Sequence, residues 1–300
     1  MKAKSTRIAV LLTCHNRKKL TERCVKSVEI AVRAINDKHI NLHYFITDDS
    51  CTDGTPDMIA SNLPPERLTI IEADGNAFWA GGMRMAWRAA LKHSDWDFFL
   101  LLNDDTIVFD NLFSELFEAH EYSLETFHKS GIYSGNTCEV GDHNKITFGG
   151  KVKKGHFLYR FERLMPNGTP QRCDIVNANI LMVSNDVVGQ IGIFPDCYIH
   201  GCADNDYGYR CNDNDIPVLI TSNVCGACDA DNYNFTEELS KLRKMSLSGR
   251  YKYLRFPVHS IHDLLQLYFR WRKMFVLPII ARQLIILLMP GLLLKIIKRQ

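Results

Sequence analysis

Asp97-Phe98-Phe99-Leu100-Leu101-Leu102-Asn103-Asp104-Asp105-Thr106 is an apolar run of strand length that ends in two adjacent carboxylates. A short, wholly apolar segment suits a parallel strand covered on both faces. In open α/β sheets, ligands bind just beyond the carboxyl ends of such strands. Two acids at that place can hold a hard cation through oxygen ligands and bridge it to a phosphate. The competing reading is a polar loop in which Asp105 caps the next helix, because Asp and Asn also favour caps and turns.

Working outward, Arg7–Thr13 reads as a first strand and Leu20–Asn36 as an amphipathic helix, with apolar residues recurring at helical spacing. Leu42–Thr47 is a second strand that stops at Asp48-Asp49-Ser50-Cys51-Thr52-Asp53-Gly54-Thr55, a turn-rich loop leading to a short helix after Pro56. Leu68–Glu72 is a third strand, Ala73–Gly82 a loop with three glycines, and Met83–Lys92 another helix. Strands alternating with helices imply a wound parallel sheet, an α/β fold. The polar loops Thr13–Arg17, Asp48–Thr55, Ala73–Gly82 and Asn103–Thr106 then emerge on one sheet edge and form a ligand crevice. No G-x-G-x-x-G follows the first strand and there is no P-loop, which disfavours a dehydrogenase or a P-loop NTPase.

The whole chain sets further bounds. Its 300 residues suffice for one large α/β domain or two small ones, and 46% hydrophobic with 23% charged residues describes an ordinary globular protein. A formal net charge of +2 argues against nucleic acid as the main partner. Met1–Ser5 lack the apolar core of a signal peptide, so the ten cysteines are expected to be reduced thiols in a cytosolic protein. Cys225 and Cys228 form a C-x-x-C that, with Cys202 and Cys211, can be read as a zinc group. The spacing lacks the second pair of a zinc ribbon, and scattered buried thiols are the simpler reading.

Thr13-Cys14-His15-Asn16-Arg17, the Asp48–Thr55 loop, Gly75-Asn76-Ala77-Phe78-Trp79-Ala80-Gly81-Gly82 and Asn103-Asp104-Asp105, in this order, resemble the motifs of family 2 glycosyltransferases. Those are inverting enzymes of the GT-A fold: a Rossmann-like wound, mostly parallel sheet with an acceptor-side subdomain, using nucleotide-sugar donors. The resemblance covers roughly residues 5–230. It implies that Thr13 and His15 line the base pocket, that Arg17 and Asn76 belong to the donor site, and that Asp49 accepts the base N3–H of uracil or thymine. It makes Asp105 the direct ligand of Mn²⁺ or Mg²⁺, with Asp104 on the ribose or a metal-bound water. For His15 a bond to a backbone carbonyl is the plainer alternative. The Gly-rich loop through Gly82 is expected to let backbone approach a diphosphate at a helix N-terminus. Arg84, in the first turn of that helix, would reach the phosphates or lie solvated. Trp79 would wall the sugar or pack beneath the loop. Asp53 and Gly54 are expected to shape their turn.

The second half should supply the acceptor side. Phe109–His120 reads as a helix, Gly131–Thr137 as a strand, Lys145–Phe161 as a hairpin with Gly149-Gly150 at a bulge, Ile175–Ser184 as a strand and Asn185–Ile191 as a helix. In Gly201-Cys202-Ala203-Asp204-Asn205-Asp206-Tyr207, Asp204 matches the family's catalytic base, whereas Ala203 departs from the usual Glu. An N-cap is the alternative role for Asp204. Cys225–Cys228 falls where many relatives place a His near the metal, so no third protein ligand is assigned.

Glu237–Tyr253 is a charged helix. Beyond Pro257, Tyr268–Phe275 interleaves bases with aromatics. Val276–Ile297 is apolar but broken by Pro278, Arg282 and Pro290-Gly291, unlike a clean span of about 20 residues. An interfacial helix on an anionic membrane face fits this mixture; a core or oligomer helix is the alternative. The expected organisation is a glycosyltransferase domain over 1–235 (nucleotide half 1–106, acceptor half 107–235) and membrane-peripheral helices over 236–300. The expected activity is metal-dependent inverting transfer from a UDP- or dTDP-sugar to a glycan or lipid-linked acceptor, on the inner face of the cell membrane, in cell-surface polysaccharide synthesis. The Phe78–Gly82 segment is similar to that of rhamnosyl-transferring relatives, which sets dTDP-rhamnose beside UDP-hexoses. A sugar-1-phosphate nucleotidylyltransferase and a non-catalytic glycan-binding protein are the rival readings.

Overall fold

The computed structural model describes residues 5–35, 40–155, 160–230 and 234–297. The first part of the chain runs β1 (Thr6–Cys14), α1 (Lys18–Ala34), β2 (Ile40–Asp48), α2 (Thr55–Asn62), β3 (Leu68–Glu72), α3 (Phe78–His93), β4 (Phe98–Leu102). There follow β5 (Ile107–Val108), α4 (Leu112–Phe127), β6 (Ile132–Glu139), β7 (Asp142–Phe148), β8 (Gly150–Lys154), β9 (Arg160–Arg163), β10 (Gln171–Arg172), β11 (Ile175–Val176) and β12 (Ile180–Ser184). Then come α5 (Asn185–Ile191), α6 (Ala203–Asp213) and β13 (Val218–Ala227).

All five residues of β4 are buried, as their unbroken apolarity requires. β4 pairs with β1 in parallel and with β12 antiparallel, in a ten-stranded mixed sheet ordered β10-β13-β6-β12-β4-β1-β2-β3, with β5 beside β13 and β7 beside β6 off that path. The β3-β2-β1-β4 half is parallel throughout, so the loops after those strands share one edge. Helix α1 buries Cys24, Val25, Val28 and Ala31 on one stripe, and α3 buries Ala80, Met83, Trp87 and Ala90 on another. The end of α1 expected at Asn36 lies outside the described residues.

Four elements differ from the sequence reading. Helix α3 begins at Phe78, not Met83, so Gly81 and Gly82 are helical rather than part of a loop. The stretch over 145–161 is not one hairpin: β7 pairs with β6, whereas β8 joins β9 and β11 in a separate three-stranded sheet. Gly149-Gly150 marks the change of sheet, because a methyl group on Gly150 would stand 2.6 Å from the Cys173 sulfur. Residues 156–159 of that stretch lie outside those described. The strand over 175–184 is broken into β11 and β12 by Asn177-Ala178-Asn179. The charged helix over 237–253 is two, because Met245 turns extended and the Ser246 side chain caps the second.

Tertiary contacts divide the chain into one unit of residues 1–194 and 204–230 and another of 195–203 and 231–300. The second unit holds α7 (Phe235–Lys244), α8 (Leu247–Arg255), α9 (His262–Trp271), α10 (Val276–Leu288) and α11 (Pro290–Ile297). Leu239, Leu242, Ile286 and Leu294 form its core. Asp263 anchors the 195–203 segment by accepting the backbone N–H groups of Ile199, His200 and Gly201 at 2.7–2.9 Å. Burial raises the pKa of this carboxyl, but His262 and those three N–H groups outweigh it and hold it below the usual range. Among the described residues no single helix is long and apolar enough to cross a membrane; 273–288 and 290–297 pass that test only as a pair bent by 107°.

Candidate active site

The tip of β4 is tied to its surroundings before any ligand is considered. The Asn103 N–H donates to the Asn179 carbonyl oxygen at 3.1 Å, and Asn103 Oδ1 accepts the Trp79 indole N–H at 2.7 Å. The carboxylates that follow converge on one positive charge. Arg17 Nη1 lies 3.1 Å from Asp104 Oδ1 and 2.8 Å from Asp105 Oδ2. Asp105 keeps 31% of its side-chain surface, whereas Asp104 keeps 8% and takes a further bond from Thr21 Oγ1. Burial and the neighbouring Asp105 push the Asp104 carboxyl up to about 6, with Arg17 opposing them.

The folded state binds the Asp104 proton more tightly than the unfolded chain does. Its stabilising effect is therefore full below about pH 4 and is lost as pH rises through about 6. In chelator-containing buffer, Asp104→Asn is expected to be more stable than the parent at pH 8 by on the order of 1–3 kcal/mol. Thermal melts should show the gap closing toward pH 4; a gap that widens on acidification contradicts the assignment.

The opposite wall is a thiol. Cys228, just past β13, is 3% exposed, and its Sγ lies 3.6 Å from Asp105 Oδ1 and 3.4 Å from Asn179 Nδ2. Burial, reinforced by Asp105, pushes this thiol up to about 12. Asp105 and Asp104 are the residues that could hold a hard divalent cation through oxygen, in place of the one charge they share on Arg17; the Cys228 thiol, kept protonated by burial, does not complete a set of three with them.

Asp204 sits at the start of α6 and is 9% exposed. It is the second helical residue and not the cap. Its Oδ2 accepts the Ala178 N–H at 3.2 Å, and its Oδ1 accepts both the backbone and side-chain nitrogens of Asn205 at 2.8 Å. Burial raises its pKa against those bonds and Lys151. The turn Asn177-Ala178-Asn179 thus connects Asp204, Cys228 and the β4 tip. The sequence reading ran a strand through this turn and missed Asn179; the Asn-Ala-Asn composition was the available signal.

The β1 and β2 loops are laced together. His15 Nδ1 bonds the Asp49 carbonyl oxygen, Asn16 Oδ1 accepts from Thr52, and Asp53 accepts from the Lys18 backbone and from Thr55. Asp53 and Gly54, with φ +77°, do shape this turn. Asp49 is buried and accepts the N–H groups of Ala77 and Phe78 at 3.1 and 3.0 Å. The first donors of α3 are therefore already engaged by a carboxylate, contrary to an open diphosphate cradle there.

Two expected donor residues, Gly82 and Arg84, stand elsewhere than foreseen. Gly82 is buried in α3, where a methyl group would come within 2.7 Å of Thr13 Cβ; its role is close packing under Thr13. Gly82→Ala is expected to cost about 1–3 kcal/mol, read as a drop in melting temperature. Arg84 lies in the second turn of α3, 9% exposed, not in the first turn. Asn76 is exposed and bonds Asp74. Trp79 packs on Phe194 at 5.8 Å between ring centroids while its indole holds Asn103. None of the ten cysteines is in a disulfide, and Cys211, Cys225 and Cys228 enter no group of three metal-ligating side chains among the described residues.

Comparisons agree with this architecture. The family model "Glycosyl transferase family 2" matches residues 9–180, more than half of the chain. No curated protein matches the sequence. A mannosyltransferase from Pyrobaculum calidifontis, solved with GDP-Man and Mn²⁺, superposes with TM-score 0.54 at 14% identity, covering 94% of this chain and 75% of that one. GalNAc-T7, solved with UDP, GalNAc and Mn²⁺, gives 0.56 at 12% identity over 84% of this chain and 48% of that one. TarS from S. aureus, residues 1–349 with UDP-GlcNAc, gives 0.53 at 11% identity over 82% and 69%. A nucleotidylyltransferase is thereby set aside. The chain belongs to glycosyl transferase family 2 and is a glycosyltransferase with the GT-A fold.

Proposed function

We propose that the chain moves a sugar from a UDP- or dTDP-sugar to a hydroxyl of a glycan or lipid-linked acceptor, with inversion, using Mn²⁺ or Mg²⁺ at Asp105. The observation that carries this reading is the single guanidinium shared by Asp104 and Asp105 at the tip of β4. Carboxylates that converge on one charge form a site for a cation and, beyond it, a diphosphate. When bound there, the cation offsets the negative charge that develops on the departing nucleoside diphosphate. Asp105 would hold it, with Asp104 alongside.

Arg17 has to leave Asp105 for this to happen, and its guanidinium then suits a diphosphate oxygen. Both Asp49 oxygens already accept an N–H, yet each keeps a further lone pair for the N3–H of uracil or thymine. His15, held across the same loop, offers a flat face beside that acceptor. Asp204 takes the acceptor hydroxyl proton as that oxygen bonds to the anomeric carbon and the bond from this carbon to the diphosphate oxygen breaks. Its buried carboxyl and raised pKa support the role of base.

The C-terminal unit would rest on the inner face of the cell membrane, consistent with a lipid-linked acceptor in cell-surface polysaccharide synthesis. Leu277, Leu284, Leu288, Met289, Leu292 and Ile296 are about half exposed or more, 77% for Leu277, with Lys273 before them and Lys295 among the last of them. The test is a donor panel of UDP-hexoses and dTDP-rhamnose, with Mn²⁺ or with EDTA. Thermal stabilisation by a uridine or thymidine donor, and release of its diphosphate only with metal, are expected. Equal stabilisation in EDTA, or no response to any of these donors, overturns the reading.

A further inference from the structure

Cys14 closes β1 and Cys51 lies three residues past the end of β2. The parallel pairing of Cys14 with Asp48 brings both thiols and the Asp48 carboxylate to one sheet edge. The two Sγ atoms are 3.9 Å apart, and with an Asp48 oxygen all three ligand atoms lie within 4.8 Å of one another. Two thiolates bound at about 2.3 Å to a tetrahedral ion stand about 3.8 Å apart, so the sulfur pair already has the spacing of an occupied tetrahedral edge. A disulfide needs about 2.05 Å, roughly half the present distance. The Asn16 N–H donates to Cys51 Sγ at 3.2 Å, a bond that favours a thiolate there. Cys14 is buried whereas Cys51 is half-buried, which leaves an approach from solvent on the Cys51 side.

We propose that Cys14, Cys51 and Asp48 bind one thiophilic divalent ion of the Zn²⁺ class, distinct from the acid pair at the tip of β4. Both thiols lose their protons to solvent as the two metal–sulfur bonds form, and a fourth position remains for water. Because binding displaces both thiol protons, occupancy rises with pH. An ion here ties the loop that carries His15 and Arg17 to the loop that carries Asp49. The assignment does not depend on the donor reading.

Cadmium titration of the full-length protein tests it. Ultraviolet sulfur-to-cadmium charge-transfer absorption is expected to saturate at one equivalent, with the intensity of two thiolates. Cys51→Ser is expected to lose about half of that intensity or all of it, and Cys228→Ser to retain it. Absorption that survives unchanged in Cys51→Ser, or that disappears in Cys228→Ser instead, overturns the assignment. Should Cys51→Ser fail to fold, Asp48→Asn is expected to weaken cadmium binding by about tenfold or more with two-thiolate intensity kept; unchanged affinity overturns it equally.

Discussion

Asp105→Asn is expected to lower sugar transfer by about 10²–10³-fold and to erase the dependence of donor binding on Mn²⁺. The substitution keeps the shape of the side chain and removes its charge. Asp105 is the accessible member of the pair, with 31% of its surface open, one oxygen on Arg17 and the other beside the Cys228 thiol. Without its charge, Arg17 pairs with Asp104 alone and the carboxylates no longer share a cation. Stability should change only modestly at this half-buried position, because Arg17 keeps its partner in Asp104. Steady-state rates across a Mn²⁺ series, with thermal shifts by nucleotide, provide the readout. A rate within tenfold of the parent at saturating Mn²⁺ would remove Asp105 from the centre of the site.

Asp204→Asn is expected to reduce kcat by about 10²–10⁴-fold while leaving donor affinity unchanged. The carboxylate sits among donors: the Ala178 N–H on one oxygen and two Asn205 nitrogens on the other. An amide turns one of those positions into a donor facing a donor, so a loss of about 1–3 kcal/mol in stability accompanies the catalytic effect. The pH dependence separates the two. Burial raises the Asp204 pKa, and a base works only when deprotonated. Parent activity therefore climbs with pH through a value above the ordinary Asp range and falls away below it. In Asp204→Asn that acid limb should vanish from kcat/KM. A variant that keeps the limb, or turns over at the parent rate, places the base elsewhere.

Much of this was legible along the chain because it is local. An unbroken apolar run makes β4 a buried strand, period-3.6 stripes make α1 and α3, and loops after parallel strands must share an edge. The acid pair at the tip of β4 and the shared edge of the His15–Arg17 and Asp48–Thr55 loops follow from that regularity, whereas Asp204 at a helix start came from the resemblance of its motif.

The remainder depends on contacts between residues far apart in sequence. The glycines at 81 and 82 read as a loop because glycine disfavours helices, yet the absence of a side chain is what lets α3 lie against Thr13. The break at Asn177–Asn179 is set by partners at Asn103, Asp204 and Cys228, none of them a sequence neighbour. Arg17 reaches acids some 87 positions away, and only the β1–β4 pairing brings them within a hydrogen bond. Sequence alone determined which residues can carry charge, metal or a proton, since that is a property of each side chain and its local periodicity. Tertiary structure decided which of them share a wall, because burial and strand register are properties of the packed sheet.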